Sequence, residues 1–479
     1  MYNRRTKQSS LKNQFNDESS TSRHLIPSNI IDESPEYSTT VEYDDQLIEN
    51  FQKFQKKITR GSMFNSTITL ISFSPTPIIF FMRFAFEQTG IIYGVVLYSF
   101  LLIASLYSLY LLTKIFSKTH AGNYNTLLKE HIQSKCISIL FFISLSIYYF
   151  VLNVIYCYSI IRLLVNTLNV FEFTNKDNIT VMIILIIIFF IIQVPSIYKQ
   201  QFNTIQSVCI VLLVLIIIST IMVIGEILLY KELNTNISFT PEFNFDFSYA
   251  ICIFAILTTN QMNIAREIKE MNLYTYKRGK TLIERTVIYE WIIYIVYTIS
   301  SYLIDNTYNK INNNDMQIVV IVTQHKDWNN FPMVLMQILI IISISFKISN
   351  NTSYLYDTLL FELNEESVLK KMQTLISCIT VVSCGTCAFI LKDKYVLIAI
   401  GICGGLCVYI LCYFIPICSY NRIFEDGEWD EFNIVKNKIN ESSSVKARKQ
   451  LEYVNPVMLV VMFIVLFFGV AFSVYCVVR

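Results

Sequence analysis

The chain has 479 residues, of which 53% are hydrophobic, 14% aromatic and only 15% charged, and its mean hydropathy is +0.47. A soluble globular domain fills its core with less apolar surface, so the composition predicts an all-α polytopic membrane protein. The net charge of +2 gives no reason to expect a nucleic-acid partner. The expected surroundings of most of the chain are therefore the lipid bilayer.

Residues 1–60 are polar, rich in serine and mixed in charge. They lack the short basic head and apolar core of a signal peptide. We expect a disordered cytoplasmic N-terminal tail, followed by a membrane domain over residues 61–479. The tail and a charged cytoplasmic loop predicted at 421–455 offer surfaces for cytoplasmic protein partners.

Eleven stretches approach the roughly 20 apolar residues that a helix needs to cross a bilayer. They cover residues 62–87, 91–116, 136–166, 179–198, 205–230, 247–267, 284–304, 332–360, 372–391, 394–419 and 456–478. The loops after the second, sixth and tenth stretches hold most of the lysine and arginine, which places the N-terminus in the cytoplasm and the C-terminus outside or in a lumen. The sequon Asn236-Ile237-Ser238 then lies on the outer or lumenal side.

The first stretch is interrupted by Ser72-Phe73-Ser74-Pro75-Thr76-Pro77. Two prolines one residue apart remove two backbone donors, so a continuous helix cannot pass through them without kinking or unwinding. Non-helical backbone at membrane depth persists where it is buried in protein or lines a watery cavity, as in the broken helices of transporters. This segment therefore predicts a binding site inside the membrane.

The sixth stretch contains Thr258-Thr259-Asn260-Gln261, four consecutive polar residues, after the apolar run 251–257. One interpretation ends the segment at Leu257, but only about 11 residues would then remain from Phe247, too few to span a bilayer. The other is a second broken helix, at the position that corresponds to the first in a repeat of five helices. Both breaks together favour a transporter.

The eighth stretch contains Ser343, Ser345 and Lys347. Serine hydroxyls in helices often bond to their own helix, which is the alternative to a role in a site. A lysine this far inside a span must pair, face water or snorkel to the interface. Lys347 is thus a candidate for a fixed cation in place of sodium, or for a group that titrates in proton coupling.

Enzyme and metal motifs give no signal in this sequence. There is no P-loop, GxGxxG, nucleophile elbow or HExxH, and the four histidines fall in the predicted tail or loops. The pair Cys384 and Cys387 lies in an apolar helix, where packing is the simpler explanation. We expect neither an enzyme nor a bound metal, and no cofactor beyond Na⁺ or H⁺ as a coupling ion.

Several short patterns occur in an order that resembles the amino acid/auxin permease family, which includes proton- and sodium-coupled neutral amino acid transporters. They are Gly61-Ser62, Ala85 and Gly90 in the first helix, residues 106–112 in the second, Tyr124 and Leu127 in the next loop, Asn260 and Glu267-Ile268-Lys269 in the sixth, and Pro416 and Tyr420 in the tenth. The sequence departs from the family where residues 75–78 replace its Gly-Ser-Gly. It departs again where Asn263 and Ala265 replace a proline and a tyrosine.

The resemblance implies a LeuT-like fold of two inverted five-helix repeats plus one extra helix, and symport of amino acids with H⁺ or Na⁺. It also implies a site between the two broken helices. The substrate is expected at Ser72, Ser74, Thr76, Thr258, Thr259 and Asn260, and the coupling ion at Ser72, Ser343, Ser345 and Lys347. The alternative function is a transporter-like amino acid sensor that signals through its cytoplasmic segments. The expected location is the plasma membrane or the vacuolar or lysosomal membrane.

Overall fold

The computed structural model describes residues 62–121, 123–170, some positions between 210 and 224, and residues 247–271, 275–303, 331–363, 379–390, 393–425 and 441–478. The predicted tail at 1–60, the fourth apolar stretch at 179–198 and the sequon lie outside the described residues. So does most of the fifth stretch.

The regular elements in the described part of the chain are all helical. The principal helices are α1 (Met63–Phe73), α2 (Ile79–Thr119), α3 (Lys135–Val170), α4 (Phe247–Leu257), α5 (Gln261–Glu270), α6 (Tyr276–Leu303), α7 (Phe331–Leu363), α8 (Ile379–Ile390), α9 (Asp393–Gly401), α10 (Ile415–Glu425) and α11 (Glu441–Val478). Two π-helical turns, Ile402–Cys407 and Tyr409–Phe414, join α9 to α10 in one long span. Among the described residues, five helical stretches are long and apolar enough to cross a membrane.

Gly90 divides α2 into two spans that fold back on each other. Its φ of 69° and ψ of 167° are essentially restricted to glycine. A Cβ on Gly94 would lie 3.3 Å from the ring of Phe86, whereas residues eight apart in a straight helix are separated by about 12 Å along its axis. The chain therefore reverses at Gly90, and the predicted boundary between the first two apolar stretches is confirmed.

The first apolar stretch is broken where the sequence predicts. Helix α1 begins with the side chain of Ser62 accepting a hydrogen bond from the Asn65 amide and ends at Phe73. Ser74 and Pro75 are not helical, and a 3₁₀ turn at Thr76–Ile78 leads into α2. Since Pro75 and Pro77 have no N–H to donate, the regular hydrogen-bond ladder stops here. We call residues 74–78 the first interruption.

The sixth apolar stretch is also broken. Helix α4 ends at Leu257, residues 258–260 are not helical, and α5 begins at Gln261. The side chains of Thr258, Thr259 and Asn260 are all buried. The alternative interpretation, in which the segment ends at Leu257 and the polar run is loop, is wrong because the chain stays buried and becomes helical again at Gln261. Residues 258–260 form the second interruption.

Close backbone packing holds α4 against two other elements. A Cβ on Gly404, in the first π-helical turn, would lie 2.2 Å from the carbonyl oxygen of Cys252, so only glycine fits there. A Cβ on Gly469 of α11 would lie 2.9 Å from the sulfur of Cys252. The small residues thus allow α4 to approach both neighbours closely.

Two parts of the predicted cytoplasmic loop at 421–455 are helical. Residues 421–425 belong to α10, and residues 441–455 form the first turns of α11. The segment 441–455 contains several strong helix formers, among them Ala447 and Leu451. Because the segment is also highly charged, its hydropathy does not predict a helix there. Helix α11 accommodates Pro456 in its interior.

Candidate functional site

The side chain of Lys347 reaches from α7 into the first interruption. Lys347 is 2% exposed, and its ammonium donates hydrogen bonds to the carbonyl oxygen of Ser74 and the hydroxyl oxygen of Thr76. The Ser74 carbonyl projects from unwound backbone, so it can accept a side-chain donor that a regular helix would exclude. A buried positive charge is thereby held by oxygen atoms of the broken helix.

The hydroxyl of Ser74 ties the same interruption to α6. Its oxygen lies 2.6 Å from the hydroxyl of Tyr294, and both side chains are buried. The hydroxyl of Thr76 also donates to the Ser74 carbonyl oxygen at 3.0 Å. Two of the predicted site residues, Ser74 and Thr76, are therefore brought together with Lys347.

The second interruption is bound to a buried acid on α6. The side-chain nitrogen of Asn260 lies 2.8 Å from each carboxyl oxygen of Glu290, which is 0% exposed. Glu290 also interacts with the hydroxyl of Ser74 and electrostatically with Lys347. The cluster therefore contains one acidic and one basic side chain, and both are buried.

Glu290 and Tyr294 were not among the residues predicted from sequence. The available signal was an acidic residue inside the seventh apolar stretch, since such residues are costly in a membrane and usually functional. Glu284 and Arg285 lie at the start of the same stretch, where charged residues are common. Glu290, which follows within two turns, is therefore hard to distinguish from an ordinary charged helix end by sequence. A partner for Asn260 was visible only once the helices were packed.

The two threonines of the second interruption are bonded locally and to neighbouring helices. Their hydroxyls donate to the carbonyl oxygens of Ala255 and Ile256, at 2.9 and 2.7 Å. The carbonyl of Thr258 accepts from the hydroxyl of Ser105 at 2.6 Å, and the Thr259 hydroxyl lies 2.6 Å from that of Tyr148. Helices α2 and α3 thus support the unwound backbone, while Asn260 carries the contact to Glu290.

Three other predicted site residues direct their hydroxyls to their own helices. Ser72 donates to Ile68, Ser343 to Leu339 and Ser345 to Ile341, at 2.7, 2.8 and 2.7 Å between the hydroxyl and carbonyl oxygens. For Ser343 and Ser345 this is the back-bonding that the sequence left open as the alternative. Lys347 meets the first interruption through the Ser74 carbonyl and the Thr76 hydroxyl.

Hard cations are bound in proteins by carbonyl, carboxyl and hydroxyl oxygens. The Ser74 carbonyl and the Thr76 hydroxyl are such ligands, and here they surround an ammonium group. The cluster can therefore stabilise one positive charge at the first interruption, and the carboxyl of Glu290 compensates that charge when it is ionised.

No protein-family model matches the chain, and no curated protein is similar to it in sequence. Solved structures do match. A Na⁺-coupled sialic acid symporter in a substrate-bound outward-open state aligns with a TM-score of 0.50 at 12% identity, covering 87% of this chain and 90% of the other. Mhp1 is a nucleobase-cation-symport-1 family transporter. Its closed conformation, which has bromovinylhydantoin bound, aligns with this chain at a TM-score of 0.50 and 12% identity, covering 85% of this chain and 91% of the other. Its inward-facing conformation aligns at a TM-score of 0.50, with 14% identity and coverage of 86% and 90%.

The fold is LeuT-like. The predicted fold class, an all-α polytopic membrane protein of this architecture, is confirmed. At 12 to 14% identity the comparisons concern the fold alone. The resemblance to the amino acid/auxin permeases stays a prediction.

Proposed function

We propose that the protein is a secondary active transporter of neutral amino acids that works by alternating access. The observation that carries this proposal is the meeting of two helix interruptions around buried Lys347 and Glu290. Broken helices at membrane depth are the sites where transporters of several folds bind substrate and ions. The LeuT-like fold and the resemblance to amino acid permeases support the same function.

A zwitterionic amino acid suits the charges of this cluster. Its carboxylate is complementary to the ammonium of Lys347, and its own ammonium is complementary to the carboxyl of Glu290. A substrate with a neutral side chain leaves the charges of the cluster balanced, which matters because an uncompensated charge in a buried site is strongly unfavourable. The amino acid class follows from the resemblance and from this complementarity.

Lys347 takes the place of a mobile cation in the proposed cycle. In transporters, the carbonyl oxygens of unwound helices coordinate the coupling sodium. The Ser74 carbonyl and Thr76 hydroxyl already bind an ammonium group of the protein. Transport is therefore expected to proceed without Na⁺, with H⁺ as the coupling ion.

Uptake into proteoliposomes tests the proposal. Purified full-length protein would be assayed with each of the 20 amino acids, with sodium present or replaced by choline and with the pH gradient varied. Concentrative uptake of neutral amino acids that persists in choline is expected, and protein-free liposomes are the control. Absence of both binding and flux across the panel would exclude the function. Binding without flux would instead favour the sensor.

A further inference from the structure

The second interruption contains a buried acceptor without a hydrogen-bond partner among the described residues. It is the side-chain oxygen Oδ1 of Asn260, a residue that is 1% exposed. Gln261, the next residue, has a similarly unpartnered side-chain oxygen, Oε1. Because buried polar groups are nearly always satisfied, an unpartnered acceptor in a candidate binding site indicates a ligand or water that completes it.

The orientation of the Asn260 amide is set by Glu290. Nδ2 of Asn260 lies 2.8 Å from both carboxyl oxygens of that residue. An ionised carboxylate can only accept hydrogen bonds, so the amide must turn its N–H group toward Glu290. Oδ1 then faces the other way. This orientation follows from the chemistry of the two groups whenever the Glu290 carboxyl is ionised.

We propose that Glu290 is a positioning residue, which holds the Asn260 amide so that Oδ1 accepts a hydrogen bond from the ammonium group of the substrate. The inference rests on the proposed function and deepens it, because it assigns the ammonium end of the substrate to the second interruption. Oδ1 can bind only a donor, and an ammonium offers three. A carboxylate at this position would be rejected.

Protonation of Glu290 would undo the arrangement. A neutral carboxyl carries one O–H donor, which can pair with the amide oxygen of Asn260 once the amide turns over. The acceptor for the substrate is then lost, so the proton and the substrate compete for the cluster. In the proposed cycle the coupling proton then moves opposite to the substrate, as in an exchanger, and not with it as in the symport that the resemblance implies. Among the described residues, the charged or titratable groups facing Glu290 are Lys347 on α7, Tyr98 on α2 and Tyr294 on α6. The Ser74 hydroxyl and the Asn260 amide also contact it.

The sign of the expected pH dependence follows directly. At low pH the Glu290 carboxyl is protonated, and the Asn260 amide can turn its N–H group toward the substrate. The affinity for an ammonium ligand is then low. Affinity rises as pH increases through the titration of Glu290. In Glu290→Gln this dependence disappears, because a side-chain amide donates and accepts at every pH.

The test measures binding of L-alanine and of propionate, which lacks the ammonium group, to the full chain in lipid nanodiscs between pH 5 and 8. For the wild type, alanine should bind more tightly as pH rises, and propionate should bind at least about tenfold more weakly. Glu290→Gln should weaken alanine binding about tenfold and flatten the pH profile. Glu284→Gln makes the same chemical change on the same helix at a half-exposed side chain, and should leave both unchanged.

A double variant separates positioning from simple destabilisation. Asn260→Asp alone sets two carboxyls against each other and should weaken binding. Combined with Glu290→Gln it restores an acid–amide pair, in which the aspartate accepts from the glutamine and keeps an oxygen toward the substrate, so binding should recover. Binding by the double variant tests the positioning role of residue 290 even if the single variant Glu290→Gln folds poorly.

The possible failures are distinguishable. If the wild type binds no amino acid at any pH, the proposed function and this inference both fail. If alanine binds but the wild-type profile is flat, or if Glu290→Gln keeps the wild-type affinity and profile, only the positioning role fails. Equal binding of propionate and alanine would exclude an ammonium contact. An unrecovered, well-folded double variant would argue against the acid–amide pair.

Discussion

Asn263 joins the two interrupted helices directly: its side-chain amide nitrogen donates to the carbonyl oxygen of Phe73 at 3.2 Å. Phe73 is the last residue of α1, where carbonyl groups lose their partners within the helix, and Asn263 lies in the first turn of α5. One hydrogen bond thus connects the end of α1 to the first turn of α5.

Replacing Asn263 with leucine should lower stability, since it leaves the Phe73 carbonyl without this donor. The expected loss is about 1 kcal/mol, which is the usual net contribution of such a hydrogen bond. Thermal unfolding of the purified protein in detergent measures it as a lower melting temperature. Thr386→Val is the control, because the exposed Thr386 hydroxyl donates to its own helix at Val382. Equal melting temperatures for both variants would contradict the coupling.

Lys347→Met should make transport depend on sodium. Without its ammonium, the Ser74 carbonyl and the Thr76 hydroxyl are left for a mobile cation, so uptake in choline should fall about tenfold or more and recover in part when Na⁺ is added. Proteoliposome uptake at fixed pH measures both effects. Lys280→Met, at an exposed lysine that pairs with Glu284, is the matched control. An unchanged response to sodium would exclude Lys347 as the replacement for a coupling ion.

The broken helices were predictable from local chemistry, but their partners were not. Pro75 and Pro77 interrupt any helix, and the polar run at 258–261 is too long for an apolar span, so both breaks could be located from the sequence. The partner of Lys347 is contributed by a segment some 270 residues away, and such pairing depends on how the helices pack. Ser343 and Ser345, four and two residues before Lys347, donate to carbonyl oxygens of their own helix, and their predicted role at the ion site stays a prediction.

Gly90→Ala should destabilise the turn between the first two spans. An alanine at φ 69° and ψ 167° is strained, at a cost of about 1–3 kcal/mol. We expect a lower melting temperature and poorer expression as a monodisperse protein, measured by fluorescence-detected size exclusion after heating. Val96→Ala removes methyl groups from a side chain that is 61% exposed and should have little effect. A Gly90→Ala protein as stable as the wild type would contradict the reversal at this residue.

Gly404→Ala, which adds one methyl group, should destabilise the protein more than Leu406→Ala, which removes most of a side chain. The added Cβ would lie 2.2 Å from the Cys252 carbonyl oxygen, so the backbones of two elements must move apart. Overpacking of this kind typically costs about 1–3 kcal/mol. Leu406→Ala, at a side chain that is 51% exposed, is the control for the same π-helical turn. If Leu406→Ala lowered the melting temperature as much as Gly404→Ala, close backbone contact would not be the reason.

The contacts of Cys252 have a mechanical consequence. Gly404 meets its backbone and Gly469 meets its sulfur, so α4 has no room to slide along either neighbour. Helix α5, by contrast, is joined to α1 by the side-chain amide of Asn263 and to α2 by that of Gln261, which donates to the Ser105 hydroxyl. The two halves of this broken helix are therefore held in different ways, α4 by close contact of backbones and α5 by side-chain hydrogen bonds.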